Sequence, residues 1–169
     1  ATLLLSLFAG SAAAALPPLL ADSAALDRSN IPALMLSNGK DPAKAKAAQE
    51  SYEQAWAAFA AKQRNAKPGD AGWTKMFGVI DKANAEARAA LAAGKMSDAH
   101  NAQEEVRHAL WHERQAMKLQ YQPDLLTDFH ATMELIILAV QDKAPQAIGA
   151  AEIAKLRPQL AEARRLWQV

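Results

Sequence analysis

The chain has 169 residues, 19 basic against 18 acidic side chains, a net charge of +1 and no cysteine. The length suits one domain with a sizeable core, while the missing cysteine excludes disulfides, thiolate metal sites and covalently attached c-type haem. Because basic and acidic residues are mixed along the chain, we expect no nucleic-acid partner. Abundant alanine with few glycines favours closely packed helices over sheets.

The N-terminal stretch differs from the rest of the chain. An apolar run at Leu3–Ala9 is followed by the small residues Ala12–Ala15, and no charge occurs before Asp22. This order predicts a secretory signal peptide in residues 1–15, and therefore a periplasmic or secreted protein whose single helical domain covers residues 16–169. The alternative is an apolar helix retained on the bundle or in a membrane. The run is short for a span, so we expect no stable membrane span.

The remaining sequence predicts an all-α fold, namely an antiparallel bundle of five or six helices with a four-helix core. Asp41 and Pro42 are suited to the N-cap and first position of a helix, and Gly94 to a helix end. Pro32 should start or kink a turn, and Pro158 should kink or split the last helix. Apolar residues recur at helical spacing over residues 21–36, 41–63, 73–93, 97–118, 123–141 and 145–167.

One helical hairpin, residues 77–106, carries a distinctive set of residues: Phe77, Ile80, Gly94–Ala99, Ala102, Glu104, Val106 and Arg107. In these residues it resembles the second half of the soluble periplasmic b-type cytochromes, which are small four-helix-bundle haem proteins. The resemblance implies a four-helix fold and an exported protein. Along its register the family's haem-ligating histidine falls at Arg114, and its methionine falls just before Leu26, so neither ligand is present.

The histidines of the predicted fourth and fifth helices suggest a metal site. His108 and His112 are four residues apart, so their side chains lie one above the other on one helix. His130 and Glu134 have the same spacing on the next helix. If the two helices meet along these edges, three imidazoles and a carboxylate could bind zinc, copper or iron. The alternative is a solvated histidine surface.

Charged residues on either side of the predicted turn suggest an ion network. Glu113 falls on the apolar stripe of the fourth helix and needs a partner. Arg107 and Arg114 flank it, and Asp124 and Asp128 follow across the turn. We expect these side chains to pin the fourth helix to the fifth, because buried charges are usually paired. The alternative is an anion pocket built from the two guanidinium groups.

Three functions follow from these patterns, none of them enzymatic. The first is a metal-binding bundle, with His108, His112, His130 and Glu134 as ligands. The second is a helical interaction or accessory protein without a cofactor, binding a protein partner through the Trp111/His108 face. The third is non-covalent haem binding by an unmatched pair such as His130 with a methionine. No zincin motif, second Glu-x-x-His motif or nucleophile elbow is present.

Overall fold

The computed structural model describes residues 18–168, so the predicted signal peptide lies outside the described residues. The described part of the chain contains no strand. The all-helical bundle predicted from the sequence is therefore confirmed. Six helices follow one another, joined by short loops and one 3₁₀ turn at Pro145–Ala147: α1 (Pro18–Ser37), α2 (Pro42–Gln63), α3 (Ala71–Ala92), α4 (Met96–Ala116), α5 (Gln122–Val140) and α6 (Ala150–Trp167).

Side-chain caps define where two of the helices begin. The Asp41 carboxylate accepts a hydrogen bond from the Lys44 N–H at 3.1 Å, and Asp70 accepts one from the Trp73 N–H at 2.9 Å. Each satisfies a backbone donor that has no partner inside the helix. Helix α4, in contrast, begins at Met96 without a side-chain cap.

Two prolines lie inside helices without ending them. Pro32 lies within α1 and Pro158 within α6, and both helices continue past them. The prediction that Pro158 could split the last segment in two is therefore wrong. Both prolines are exposed. The loss of one helical hydrogen bond on a solvated face is tolerated there, because water can satisfy the freed carbonyl.

Helices α1 to α4 form an up-down-up-down four-helix bundle, in which α1 packs on α2 and α4, and α3 packs on α2 and α4. Contacts between α1 and α4 show that they are antiparallel. The Asn30 amide bonds Gln103 at 3.1 Å, and Ser37, two turns further along α1, lies 3.3 Å from His100, which is earlier in α4. Helix α4 therefore has one side toward α1 and another toward α3.

The bundle core is aromatic at its centre. Trp56 lies 5.1 Å and Trp73 lies 5.4 Å from Phe77, measured between ring centroids, and the Phe59 ring stacks on Trp56. Such offset and edge-on arrangements suit the charge distribution of aromatic rings. These rings come from α2 and α3, so the core lies within the four-helix bundle. The aromatic centre is surrounded by buried Leu26, Tyr52, Met76, Ile80, Val106 and Leu110.

Helices α5 and α6 form a hairpin that adds to this bundle from outside. Helix α5 packs on α4 and α6, whereas α6 packs chiefly on α5. Only two residues are buried in each of them: Asp124 and Thr127 in α5, and Ala163 and Leu166 in α6. No helix among the described residues is long and apolar enough to cross a membrane.

Candidate functional site

The two histidines of the predicted metal set on α4 face a groove toward α3. His108 and His112 line this groove of about 540 Å³ together with Gly72, Lys75 and Val79. Burial, followed by the nearby Arg107 charge, lowers the pKa of His108 below its ordinary value. The local environment therefore favours the neutral imidazole of His108, which is the form that binds metal ions.

The third predicted ligand, His130, contacts α4 away from the groove that His108 and His112 line. Its Nε2 lies 3.7 Å from the Glu104 carboxylate, and the same Glu104 oxygen lies 3.5 Å from Nε2 of His100. Nδ1 of His100 lies 3.1 Å from the Leu34 carbonyl oxygen, which orients that ring. Glu104 thus joins α4 to α5 through His130, and His100, absent from the predicted set, takes part.

The four predicted metal ligands are not brought into one coordination sphere. His108 and His112 lie in the α3–α4 groove, His130 contacts Glu104, and Glu134 is exposed one turn beyond. Among residues 18–168, no three or more His, Asp or Glu side chains are grouped so that they could hold a metal ion. The physical reason is that α5 crosses the α1 side of α4, away from α3.

The predicted ion network is partly assembled. The Arg114 guanidinium donates two hydrogen bonds from Nε and Nη2 to Asp124, at 2.9 and 2.5 Å, and both side chains are buried. The sequence predicted that Glu113 would pair with Arg107 or Arg114, but Glu113 contacts neither of them. It pairs instead with Lys67 of the α2–α3 loop at 3.6 Å, because it points toward α3.

Arg107 pairs with Glu104 within α4 rather than with Glu113. Asp128 does not join the arginines either. It is half-buried between α4 and α6, and burial, reinforced by the nearby Asp124 charge, raises its pKa above the ordinary value. The network predicted as one unit therefore divides into a buried Arg114–Asp124 pair and separate local pairs.

Two residues that the sequence did not single out, Tyr121 and Asp27, lie beside the buried Arg114–Asp124 pair. The Tyr121 hydroxyl donates a 2.7 Å hydrogen bond to Asp27 of α1, and the Tyr121 ring lies 4.7 Å from the Arg114 guanidinium. Burial raises the pKa of Asp27 and that of Tyr121. The only sequence signal for Tyr121 is its place directly before the Gln122-Pro123 helix start, and Asp27 has none.

The predicted Trp111/His108 partner face does not form one open surface. Trp111 is half-buried, and its ring packs against His112 at 4.5 Å between centroids. It also lies close enough to Asp128 of α5 to lower the pKa of that carboxyl slightly, against the larger effect of burial. The hairpin therefore covers part of the face on which a partner was expected.

Exposed apolar side chains are concentrated on the hairpin instead. Trp167 is 73% exposed and Leu126 is 62% exposed, although both are large and apolar. In α6, Ile153, Leu160 and Trp167 follow one another at intervals of seven residues, or two helical turns. In α5, Leu126 and Ile137 are three turns apart and share one side.

These two stripes lie on the same side of the hairpin. Trp167 contacts Phe129 at 5.4 Å between ring centroids, and Lys143 lies 3.8 Å from Glu152, which fixes α5 and α6 as antiparallel neighbours. On α5 the exposed stripe is rotated by roughly 60–80° from Phe129, and on α6 it is rotated by roughly 60–100° from Glu152 in the same sense. Trp167, at the small end of that range, also reaches Phe129. We call this surface the hairpin face: Leu126, Ile137, Ile153, Leu160 and Trp167.

The apolar surface continues from the hairpin onto the bundle. Ile31 of α1 is half exposed and lines a groove of about 180 Å³ with Leu126. Met35, one turn further along α1, is 69% exposed. Contiguous exposed apolar patches of this kind mark interaction sites in monomeric proteins.

No protein-family model, curated protein or solved structure matches this chain. The resemblance to the periplasmic b-type cytochromes therefore remains a prediction from the sequence.

Proposed function

We propose that this protein is a non-enzymatic helical interaction protein that binds a protein partner through the hairpin face. The observation that carries the proposal is the pair of exposed apolar stripes on α5 and α6. Five large apolar side chains, from Leu126 to Trp167, are each about half exposed or more on one side of one hairpin. Burying them against a partner would be favourable by roughly 25 cal/mol for each Å² removed from water.

The bundle supports this function as a scaffold. Its aromatic core lies within α1–α4, and the buried Arg114–Asp124 pair joins the beginning of α5 to α4, and neither involves a residue of the hairpin face. The exposed stripes are therefore not needed to hold helices α1 to α4 together. Rigid scaffolds that present an apolar helical surface bind partner helices in this way.

Metal binding by His108, His112, His130 and Glu134 is the second candidate, but the geometry supports it less. His108 and His112 offer two imidazoles on one helix, which is two ligands short of a tetrahedral zinc site. Thermal melting with and without zinc or copper tests it. A metal-dependent rise in melting temperature that His130→Ala abolishes would support the four-residue set.

Site-specific photo-crosslinking tests the interaction function. A photoreactive residue replaces Leu160 on the hairpin face, and the control places it at Lys82, which is exposed on α3. We expect the first position to give a discrete protein adduct that is lost when Ile153→Asp is added, and the second to give none. Equal labelling from both positions, or an adduct that persists with Ile153→Asp, would contradict the proposal.

A further inference from the structure

Charged residues border the hairpin face with opposite signs on its two edges. Arg157 and Arg164 lie along the α6 edge, rotated roughly 20–40° beyond the apolar stripe. Both are exposed and form no ion pair with the described residues. Glu134 lies on the α5 edge, exposed and likewise without an ion pair among those residues. The face is thus apolar at its centre, basic on one edge and acidic on the other.

The heights of these charges along the hairpin are matched. The contacts of Phe129 with Trp167 and of Lys143 with Glu152 fix the antiparallel register. In that register Glu134 lies level with Glu162, about two residues from Arg164 and five from Arg157, which is at most about 8 Å along the axis. A long arginine side chain can span that distance.

We propose that the hairpin face binds a second copy of this chain, forming a symmetric dimer. This inference rests on the proposed function and names its partner. A two-fold axis parallel to the helices places α5 of one copy over α6 of the other and preserves height along the axis. Glu134 of each copy then faces Arg157 and Arg164 of the second copy, while the apolar stripes pack together. An isologous contact of this kind closes on itself.

The size of the face is that of a small interface. Helix α6 has 18 residues, so it is about 27 Å long. Two helices side by side are about 20 Å wide, which gives a projected area of roughly 500 Å² for each copy, extended by Ile31 and Met35 of α1. Specific interfaces bury about 800 Å² per partner, and weak ones about 600 Å² or less. We therefore expect a dimer with micromolar affinity.

Analytical ultracentrifugation of the full chain from about 1 to 200 µM tests the dimer, a range chosen for that affinity. The chain should pass from monomer to dimer, and Glu134→Arg should weaken dimerisation at least tenfold. Combining Glu134→Arg with Arg157→Glu and Arg164→Glu should restore it, because the reversed charges again match. The control Glu86→Arg, on the exposed surface of α3, should leave the affinity unchanged.

Each contrary result overturns the inference. A chain that stays monomeric throughout the range, or a dimer that Glu134→Arg and Leu160→Asp do not weaken, excludes this interface. Failure of the triple variant to dimerise, although its circular dichroism and melting are those of the native chain, excludes the charge pairing. If the chain is monomeric but crosslinks from position 160 to a different protein, the inference falls and the proposed function stands.

Discussion

Arg114 is the side chain with the most demanding environment. It is buried, donates to Asp124, and lies against the Tyr121 ring. Removing one member of a buried ion pair leaves the other charge without compensation, which costs about 3–5 kcal/mol. Arg114 therefore holds the beginning of α5 onto α4 and α1.

We accordingly expect Arg114→Met to lower the free energy of unfolding by about 3–5 kcal/mol, measured by urea denaturation. The matched control is Arg165→Met, which removes an exposed arginine paired with Glu162 and should change stability far less, because exposed ion pairs contribute little. If the two variants lose similar stability, the buried pair does not anchor the hairpin.

Asp27 makes stability depend on pH. Burial raises its pKa, and this outweighs the opposing effects of the Tyr121 hydrogen bond and the Arg114 charge. The folded chain therefore keeps this proton to a higher pH than the unfolded chain does. The free energy of unfolding consequently falls as the pH rises through the interval between the two pKa values.

Asp27→Asn should remove this dependence, because an amide does not ionise. Its oxygen can still accept the Tyr121 hydrogen bond. We expect the variant to melt at a higher temperature than the native chain at pH 7.5, with the difference vanishing as the pH approaches about 4. Asp142→Asn, at an exposed position, serves as the control. A variant that melts lower at pH 7.5 would show that the charged carboxylate stabilises the fold.

Residues whose pairing could be predicted from the sequence are close to each other along the chain. Arg114 and Asp124 are ten residues apart and lie on either side of a turn, so their pairing could be inferred from helix periodicity. Lys67 and Glu113 are 46 residues apart, and Asp27 and Tyr121 are 94 apart. Contacts at these separations depend on how the helices are rotated in the bundle, which periodicity does not determine.

At the scale of elements, the hairpin differs from the bundle in how little of it is buried. Helix α3 buries nine residues, including Trp73, Phe77 and Ile80, whereas α5 and α6 bury two each. Local opening is easiest where few apolar contacts must be broken. The helices of both the bundle and the hairpin could be predicted from the sequence. The smaller burial of the hairpin could not, because α5 and α6 carry apolar residues on several sides.

Hydrogen exchange measured by mass spectrometry should reveal this difference. In Leu160→Asp, which prevents the proposed dimer, we expect α6 and the second half of α5 to exchange at least roughly tenfold faster than α3. In the native chain, α6 should become more protected as the protein concentration rises. Equal protection of α3 and α6 in Leu160→Asp would show that the hairpin unfolds only with the bundle.

For the whole molecule, a line of buried amides joins helices that are distant in sequence. The Asn30 amide of α1 donates to Gln103 of α4, Gln103 donates to Gln49 of α2, and Gln49 donates to Glu53 at 3.1 Å. The line ends at the surface, where Glu53 pairs with Arg88 of α3 at 2.8 Å. One polar layer thus crosses all four helices of the bundle.

This layer restricts how the helices can be rotated and aligned. Apolar side chains pack in many registers with similar energy, whereas a buried amide is stable only where its partner is present. Gln103 is fully buried at the centre of the line and supplies both an acceptor and a donor. This layer could not be predicted from the sequence, because a single glutamine within a helical stripe is not distinctive.

Gln103→Leu should therefore destabilise the bundle more than the small change in side-chain volume suggests. It leaves the Asn30 donor and the Gln49 acceptor buried without partners, at about 1–3 kcal/mol each, so we expect a loss of roughly 2–4 kcal/mol in urea denaturation. Gln115→Leu, at an exposed position of the same helix, should change stability by less than about 0.5 kcal/mol. Adding Asn30→Leu to Gln103→Leu should recover part of the loss, since one unpaired amide is then removed. If the double variant is less stable than the single variants predict by addition, the amides act through packing volume rather than through their hydrogen bonds.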